Sequence, residues 1–205
     1  MRMRKKKHGA ERLSACGELF YDQGADTFDS ARPLHLEIGC GKGAFICAMA
    51  AKYPDVNFIA VEKISDVLLL AMERAKREEL KNLRFLNCDA AVLGEKLPPH
   101  SLTRIYLNFS DPWPKKGHTK RRLTYRTYLN LYRELLREGG SVVQKTDNPV
   151  LFDFSLEEFP ACGYTLKNVT RDLHHSIWEE DNVHTEYEDH FASMGMPIHR
   201  LEAWL

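Results

Sequence analysis

LHLEIGCGKGAFICAMAAKY, from Leu34 to Tyr53, decides how this chain is read. Leu34–Ile38 is a compact apolar strand, Gly39-Cys40-Gly41-Lys42-Gly43 is a turn, and Ala44–Tyr53 continues as a helix. Strand, glycine turn and helix open a nucleotide-binding βα unit. The glycines let the backbone turn tightly, come close to a ligand and present N–H groups at a helix N-terminus. Working outward, Asn57–Val61 is a second strand ending at Glu62, and Ser65–Glu79 is an amphipathic helix with Leu68, Ala71, Met72 and Ala75 on one face. Leu83–Leu86 is a third strand, delivering Asn87-Cys88-Asp89-Ala90, and Pro98-Pro99 closes the short connection that follows. Thr103–Leu107 is a fourth strand. Thr124–Arg137 has helical apolar spacing, and Gly139-Gly140 is placed as its C-terminal stop. Ser141–Lys145 is a fifth strand and Val150–Phe159 a helix burying Phe152, Leu156 and Phe159. Residues 171–196 are mixed and polar. Tyr164–Thr170 and Ile198–Trp204, with no convincing helix between them, predict an antiparallel edge. Strands alternating with helices predict an α/β fold built on a mostly parallel sheet.

The composition fits a soluble globular chain. Of 205 residues, 43% are hydrophobic and 28% charged, and no apolar run reaches the length of a membrane span. The start, MRMRKKKHGAERL, is basic with no apolar segment behind it, unlike a secretory signal. A cytoplasmic protein is expected. Residues 1–9 read as a mobile basic arm and 10–33 as a short helix and loop. The five cysteines form no CxxC pair, so neither a zinc site nor a disulfide framework is indicated, and no metal is expected. Net charge is zero, yet cations gather at Arg2–Lys7 and Lys115–Arg122, and acids between Glu179 and Asp189. Such separation lets one face hold a polyanion while the whole stays neutral.

The densest chemistry is Asn108–Leu123, NFSDPWPKKGHTKRRL, a loop leaving the end of a strand. In open α/β sheets ligands bind there. Pro112 and Pro114 fix the backbone around Trp113 and hold Asp111 near the strand end. Cations for phosphate and a ring for a base suit a nucleic acid; a solvated charge run with Trp113 as a core plug is the plainer alternative.

Two cofactors fit the glycine turn. Gly39-x-Gly41-x-x-Ala44, with Glu62 about twenty residues on, satisfies the dinucleotide fingerprint. Acids at the ends of the first three strands (Glu37, Glu62, Asp89) better suit S-adenosylmethionine, which carries a sulfonium, an amino group and a ribose diol. Glu62 and Asp89 could also be ordinary helix caps.

The chain resembles the bacterial tRNA (guanine-N7)-methyltransferases from about Leu34 to its C-terminus. The resemblance rests on HLEIGCGKGAF at 35–45, AVE at 60–62, NCDA at 87–90, SDPWPKKGHTKRRL at 110–123, KTDN at 145–148 and TEYE at 185–188. It implies the class I S-adenosylmethionine-dependent methyltransferase (Rossmann-like) fold, a mostly parallel seven-stranded sheet with one antiparallel strand. The methyltransferase domain would then be 34–205, preceded by a basic arm and lead-in helix at 1–33. It implies that Glu37, Gly39, Gly41, Glu62, Asp89 and Asp111 line the S-adenosylmethionine site, with Asp111 catalytic. It assigns Lys115, Asp147, Thr185, Glu186, Tyr187 and Glu188 to the substrate, and Gly117, His118, Thr119, Lys120, Arg121 and Arg122 to RNA contact. The implied substrate is a guanosine in the variable loop of tRNA, with no membrane or obligatory protein partner and a monomer or homodimer as the state. Ser110 stands where the family usually has proline, and Tyr187 where phenylalanine is usual.

Guanine N7 carries an in-plane lone pair and no proton, so its methylation requires no general base. Alignment does most of the work. A carboxylate such as Asp111 or Asp147 could stabilise the positive charge that develops on the purine or accept from guanine N1–H and N2–H₂.

Overall fold

The computed structural model describes residues 8–23, 28–29 and 31–205, so the basic start at 1–7 lies outside the described residues. Seven strands form one sheet in the order β3-β2-β1-β4-β5-β7-β6, and the chain divides into two compact units, one running to Lys96 and the other Leu97–Leu205.

In the first unit, β1 (Leu34–Ile38), β2 (Asn57–Val61) and β3 (Leu83–Leu86) are parallel. Phe58, Ile59, Ala60 and Val61 are all buried, as expected of a parallel strand covered on both faces. A short helix, α1 (Gly9–Ser14), precedes β1; α2 (Ala44–Lys52) and α3 (Ser65–Arg77) follow β1 and β2. The helices meet closely because Gly43 has no side chain. A Cβ there would lie 2.7 Å from the Cβ of Ala71 on α3, and Gly43 also holds φ +81°, which favours glycine. Asn82, ahead of β3, donates from Nδ2 to the carbonyls of Ala50, Tyr53 and Val56 at 2.8–3.1 Å, satisfying the end of α2. The lead-in segment pairs with the outer strand: Phe20 bridges Phe85, and Tyr21 N–H donates to Phe85 C=O at 2.9 Å. A short helix α4 (Leu93–Lys96) ends the unit.

In the second unit, β4 (Leu102–Asn108) runs parallel to β5 (Leu136–Thr146), and β7 (His199–Trp204) lies antiparallel to both β5 and β6 (Thr165–Thr170). The one reversed strand is therefore inserted beside β5, with β6 outermost. The helices are α5 (Arg126–Leu135), α6 (Pro149–Ala161) and α7 (Glu186–Ser193).

Three sequence expectations are corrected. Gly139-Gly140 does not stop α5. The helix ends at Leu135, Leu136 is already extended and pairs with Leu102, and the glycines lie inside β5. The register jumps there between Leu102/Leu136 and Arg104/Ser141, and Gly139 takes φ +68°. Glycine serves a bulge here rather than a helix end. Leu156 is only half-buried; Leu151, Ser155 and Glu158 join Phe152 and Phe159 on the buried side of α6. The polar stretch 171–196 contains a helix, α7. Its start is a capping box: Thr185 Oγ1 accepts from Glu188 N–H at 2.9 Å, and Glu188 Oε2 accepts from Thr185 N–H.

Candidate active site

In the first unit the expected cofactor residues lie at the carboxyl ends of the three parallel strands, Glu37 within β1 and the others just after β1, β2 and β3. Gly39 and Cys40 donate N–H bonds to the carbonyl of Val61 at 2.8 and 3.0 Å, anchoring the glycine turn to the end of β2. Gly39 (φ +82°) and Gly41 (φ +56°) need glycine conformationally, and a Cβ on either would meet nothing within 4 Å. The turn is thus an open cradle of the kind a ligand fills. Glu37 is 2% exposed, in the buried run of β1. Glu62 Oε1 accepts from Ile64 N–H at 2.9 Å, and Asn87 Nδ2 donates to the Glu62 carbonyl at 2.8 Å. Asp89 is exposed and caps a 3-10 turn, accepting from Ala91 N–H through Oδ1 at 3.0 Å. Each of these two carboxylates keeps a second oxygen that makes no protein hydrogen bond among the described residues, so capping and ligand binding are compatible. Buried Cys40 has its thiol pushed well up by desolvation and then by Glu37 and Glu62, so it is a neutral wall of the turn.

In the second unit the loop after β4 is organised by Arg122. This residue is 6% exposed. It donates from Nε to Pro112 C=O at 2.9 Å and from Nη2 to Trp113 C=O at 3.3 Å, and its guanidinium lies 4.6 Å from the Phe154 ring centre. Desolvation lowers its pKa. Arg122, expected as an RNA contact, is placed as a clamp on the backbone just after Asp111. Trp113 sits at φ +41°, a conformation that costs a non-glycine residue roughly 1–3 kcal/mol unless its surroundings fix it. Here Arg121 covers its ring at 4.8 Å and His118 meets it edge-on at 5.7 Å. Lys115, Lys116, Gly117 and Lys120 are exposed on or beside a 3-10 turn, Lys116–Arg121, in which Thr119 Oγ1 donates back to Lys116 C=O at 2.9 Å. The hydroxyl of Ser110 is buried with no hydrogen-bond partner among the described residues.

Asp111 is exposed and Asp147 half-exposed. They follow neighbouring strands whose ends are locked in register, Asn108 opposite Lys145, with Phe109 N–H donating to Lys145 C=O at 2.9 Å. The side chain of Lys145 is buried and donates to Glu188 Oε2 at 2.5 Å, Val183 C=O at 2.9 Å and Asn182 Oδ1 at 3.1 Å. Burial pushes the Glu188 carboxyl up, but the Lys145 ammonium, with Asn182 and His174, outweighs this and holds it below its ordinary value. Of the four residues 185–188, then, Thr185 and Glu188 are spent on building the start of α7, while Glu186 and Tyr187 are exposed on its first turn. The Tyr187 ring stacks with Phe109 at 6.4 Å, and Phe109 with Phe191 at 6.2 Å. The signal for the structural half of TEYE lies in the motif itself, since S/T-x-x-E is a capping box. No such local signal marks Phe109 or Lys145, whose partners are distant in sequence.

The methyltransferase family model Methyltransf_4 matches residues 31–201. The tRNA (guanine-N(7)-)-methyltransferase of Brevibacillus brevis is 50% identical over 178 residues, covering 87% of this chain and 83% of its own length. That of Bacillus subtilis is 43% identical over 209 residues, covering 98% of both chains. This chain belongs to the tRNA (guanine-N7)-methyltransferase family. The fold agrees: a solved S-adenosylmethionine-dependent methyltransferase from Aquifex aeolicus superposes with TM-score 0.58 at 12% identity, covering 94% of this chain and 97% of its own. Family membership settles the choice between the two cofactors left open by the glycine turn, and S-adenosylmethionine is the methyl donor. The open cradle at Gly39 and Gly41, with acids after β2 and β3, fits that molecule. Among the described residues no helix is long and apolar enough to cross a membrane.

Proposed function

We propose that this chain methylates N7 of a guanosine in the variable loop of tRNA. Bound S-adenosylmethionine supplies an electrophilic methyl group on a sulfonium. This chain's residues would hold it: Gly39 and Gly41 would admit its amino-acid portion against the backbone, Glu62 would take the ribose hydroxyls, Asp89 the adenine edge, and Glu37 would add negative charge near the turn. Guanine N7 would take the methyl group through its own lone pair, so no residue of this chain would need to accept a proton.

The observation that carries the guanine assignment is the register lock between Asn108 and Lys145. It delivers two carboxylates, Asp111 and Asp147, from adjacent strand ends. Asp111 faces the charge that develops on the purine, and Asp147 accepts from N1–H and N2–H₂, which adenine lacks in that arrangement. Lys115, Lys116, Lys120 and Arg121 meet phosphates of the RNA. Glu186 and Tyr187 border the substrate from α7, while Thr185 and Glu188 position them. N7 lies in the deep groove of A-form RNA, so a base exposed from its stack is the accessible target. The assignment is tested by incubating the protein with labelled S-adenosylmethionine and unmodified tRNA, then digesting to nucleosides. Label in 7-methylguanosine at the variable loop supports it; label elsewhere, or in another nucleoside, overturns it.

A further inference from the structure

The segment that follows β6 and runs into the first turn of α7 gathers two imidazoles and two carboxylates at spacing His174-x4-Glu179-x4-His184-x3-Glu188. One ligand atom from each lies within 4.8 Å of the other three. We propose that these four side chains bind one divalent transition-metal ion of the zinc class. This rests on the geometry of the segment alone and not on the reading of the reaction.

Four nitrogen and oxygen ligands at about 2.0–2.1 Å around such an ion place neighbouring ligand atoms roughly 3.3 Å apart. Two of those edges already exist: His174 Nε2 to Glu188 Oε1 is 3.0 Å, and His184 Nε2 to Glu179 Oε1 is 2.7 Å. Those two edges lengthen slightly and the remaining pairs, now at up to 4.8 Å, draw inward to complete the tetrahedron. The supporting shell is built too. Asp189 Oδ1 is 2.7 Å from His184 Nδ1, the carboxylate–histidine arrangement that orients a metal-bound imidazole. Asn182 Nδ2 donates to Glu179 Oε2 at 3.0 Å and Glu188 Oε1 at 2.6 Å, and Lys145 takes Glu188 Oε2.

Charge points the same way. Glu179, Glu188 and Asp189 are three carboxylates against the single ammonium of Lys145, leaving two negative charges when the imidazoles are neutral. A divalent cation balances them. Mixed imidazole and carboxylate ligands without thiolate favour zinc, cobalt or nickel over copper(I), and the two nitrogens disfavour calcium. Glu188 is fully buried while the side chains of His184 and Glu179 are 40% and 31% exposed, so the ion reaches the site from their side. Each imidazole would ligate through the Nε2 lone pair with its single proton on Nδ1, and any further ring proton would leave to solvent. The His174 and His184 rings, stacked at 5.1 Å, would then be fixed together with the start of α7.

The experiment uses the full chain, stripped with a chelator and titrated with cobalt(II). The expected result is one equivalent bound with the visible absorption of tetrahedral cobalt, displaced by zinc and accompanied by a rise in melting temperature. Replacing His174 and His184 together by alanine abolishes the band. Glu179→Gln, at a partly exposed position that leaves the circular dichroism unchanged, weakens binding at least ten-fold. Absence of the band in the unaltered protein overturns the proposal. So does a band that survives the double replacement, or a sulfur-to-cobalt charge-transfer band, which would place the ion on cysteines.

Discussion

Arg122 and Pro112 are ten residues apart, yet the Arg122 Nε–H closes on the Pro112 carbonyl at 2.9 Å and turns the Asp111 loop into a closed ring. Within one cationic triplet, Lys120 and Arg121 face solvent and Arg122 faces inward. The two kinds of cation should fail differently when mutated.

Arg122→Lys keeps the charge but loses the planar fork that reaches two carbonyls. We expect it to lower turnover at least ten-fold and to destabilise by about 1 kcal/mol, since two part-buried carbonyls lose their donor. A lysine variant with native turnover and melting temperature would show that the charge, not the fork, matters.

Lys120→Ala with Arg121→Ala should weaken tRNA binding, with any loss of melting temperature coming from Arg121, which covers the Trp113 ring. The slope of log affinity against log salt should fall by about two, one for each phosphate no longer neutralised. Filter-binding titrations at several salt concentrations measure it, and an unaltered slope would move the RNA to another face.

Asp111→Ala should cut turnover about 100-fold or more while binding of S-adenosylmethionine weakens only partly. Asp147→Ala should chiefly raise the KM for tRNA. Near-native turnover in Asp111→Ala would remove that residue from the active site.

Glu188 links stability to pH. Its folded pKa is depressed, so its contribution is present above the unfolded carboxylate value and is lost as pH falls through the lower folded value. In chelator-treated protein, Glu188→Gln should flatten the acid limb of the stability profile. It should cost about 3–5 kcal/mol at neutral pH by leaving Lys145 buried without its partner. Urea melts across that pH range provide the reading.

Gly43→Ala should destabilise more than Gly41→Ala. Both force a side chain into positive φ, but only the first drives a Cβ into Ala71 on α3. Gly41→Ala should instead raise the Kd for S-adenosylmethionine, because its open side is the cradle. Equal melting temperatures for the two would refute the packing role of Gly43.

Much of the fold is legible in the sequence. The strand, glycine turn and helix at 34–53 and the alternation after it lie where periodicity puts them, because apolar spacing and glycine conformation are local signals. Gly139-Gly140 misleads because a glycine pair suits a bulge as well as a helix end; the deciding pairing, Leu102 with Leu136, spans 34 positions of sequence. Charge alone does not sort Arg122 from Arg121, since burial of a guanidinium depends on carbonyls presented by a folded loop. The same holds for Glu188, whose partner Lys145 lies 43 positions away. Helix α7 is different, for Thr185-x-x-Glu188 is its own start signal and is visible without the structure.

The borders of the sheet carry one more consequence. On one side, the Phe20–Tyr21 segment occupies hydrogen-bonding positions of Phe85 in β3. On the other, β6 breaks step between Lys167 and Thr170, where Asn168 turns to φ +51°. Neither margin presents an uninterrupted row of amides and carbonyls for an incoming extended chain. The molecule thereby guards against runaway strand-by-strand polymerisation at the high local concentrations of a crowded cell.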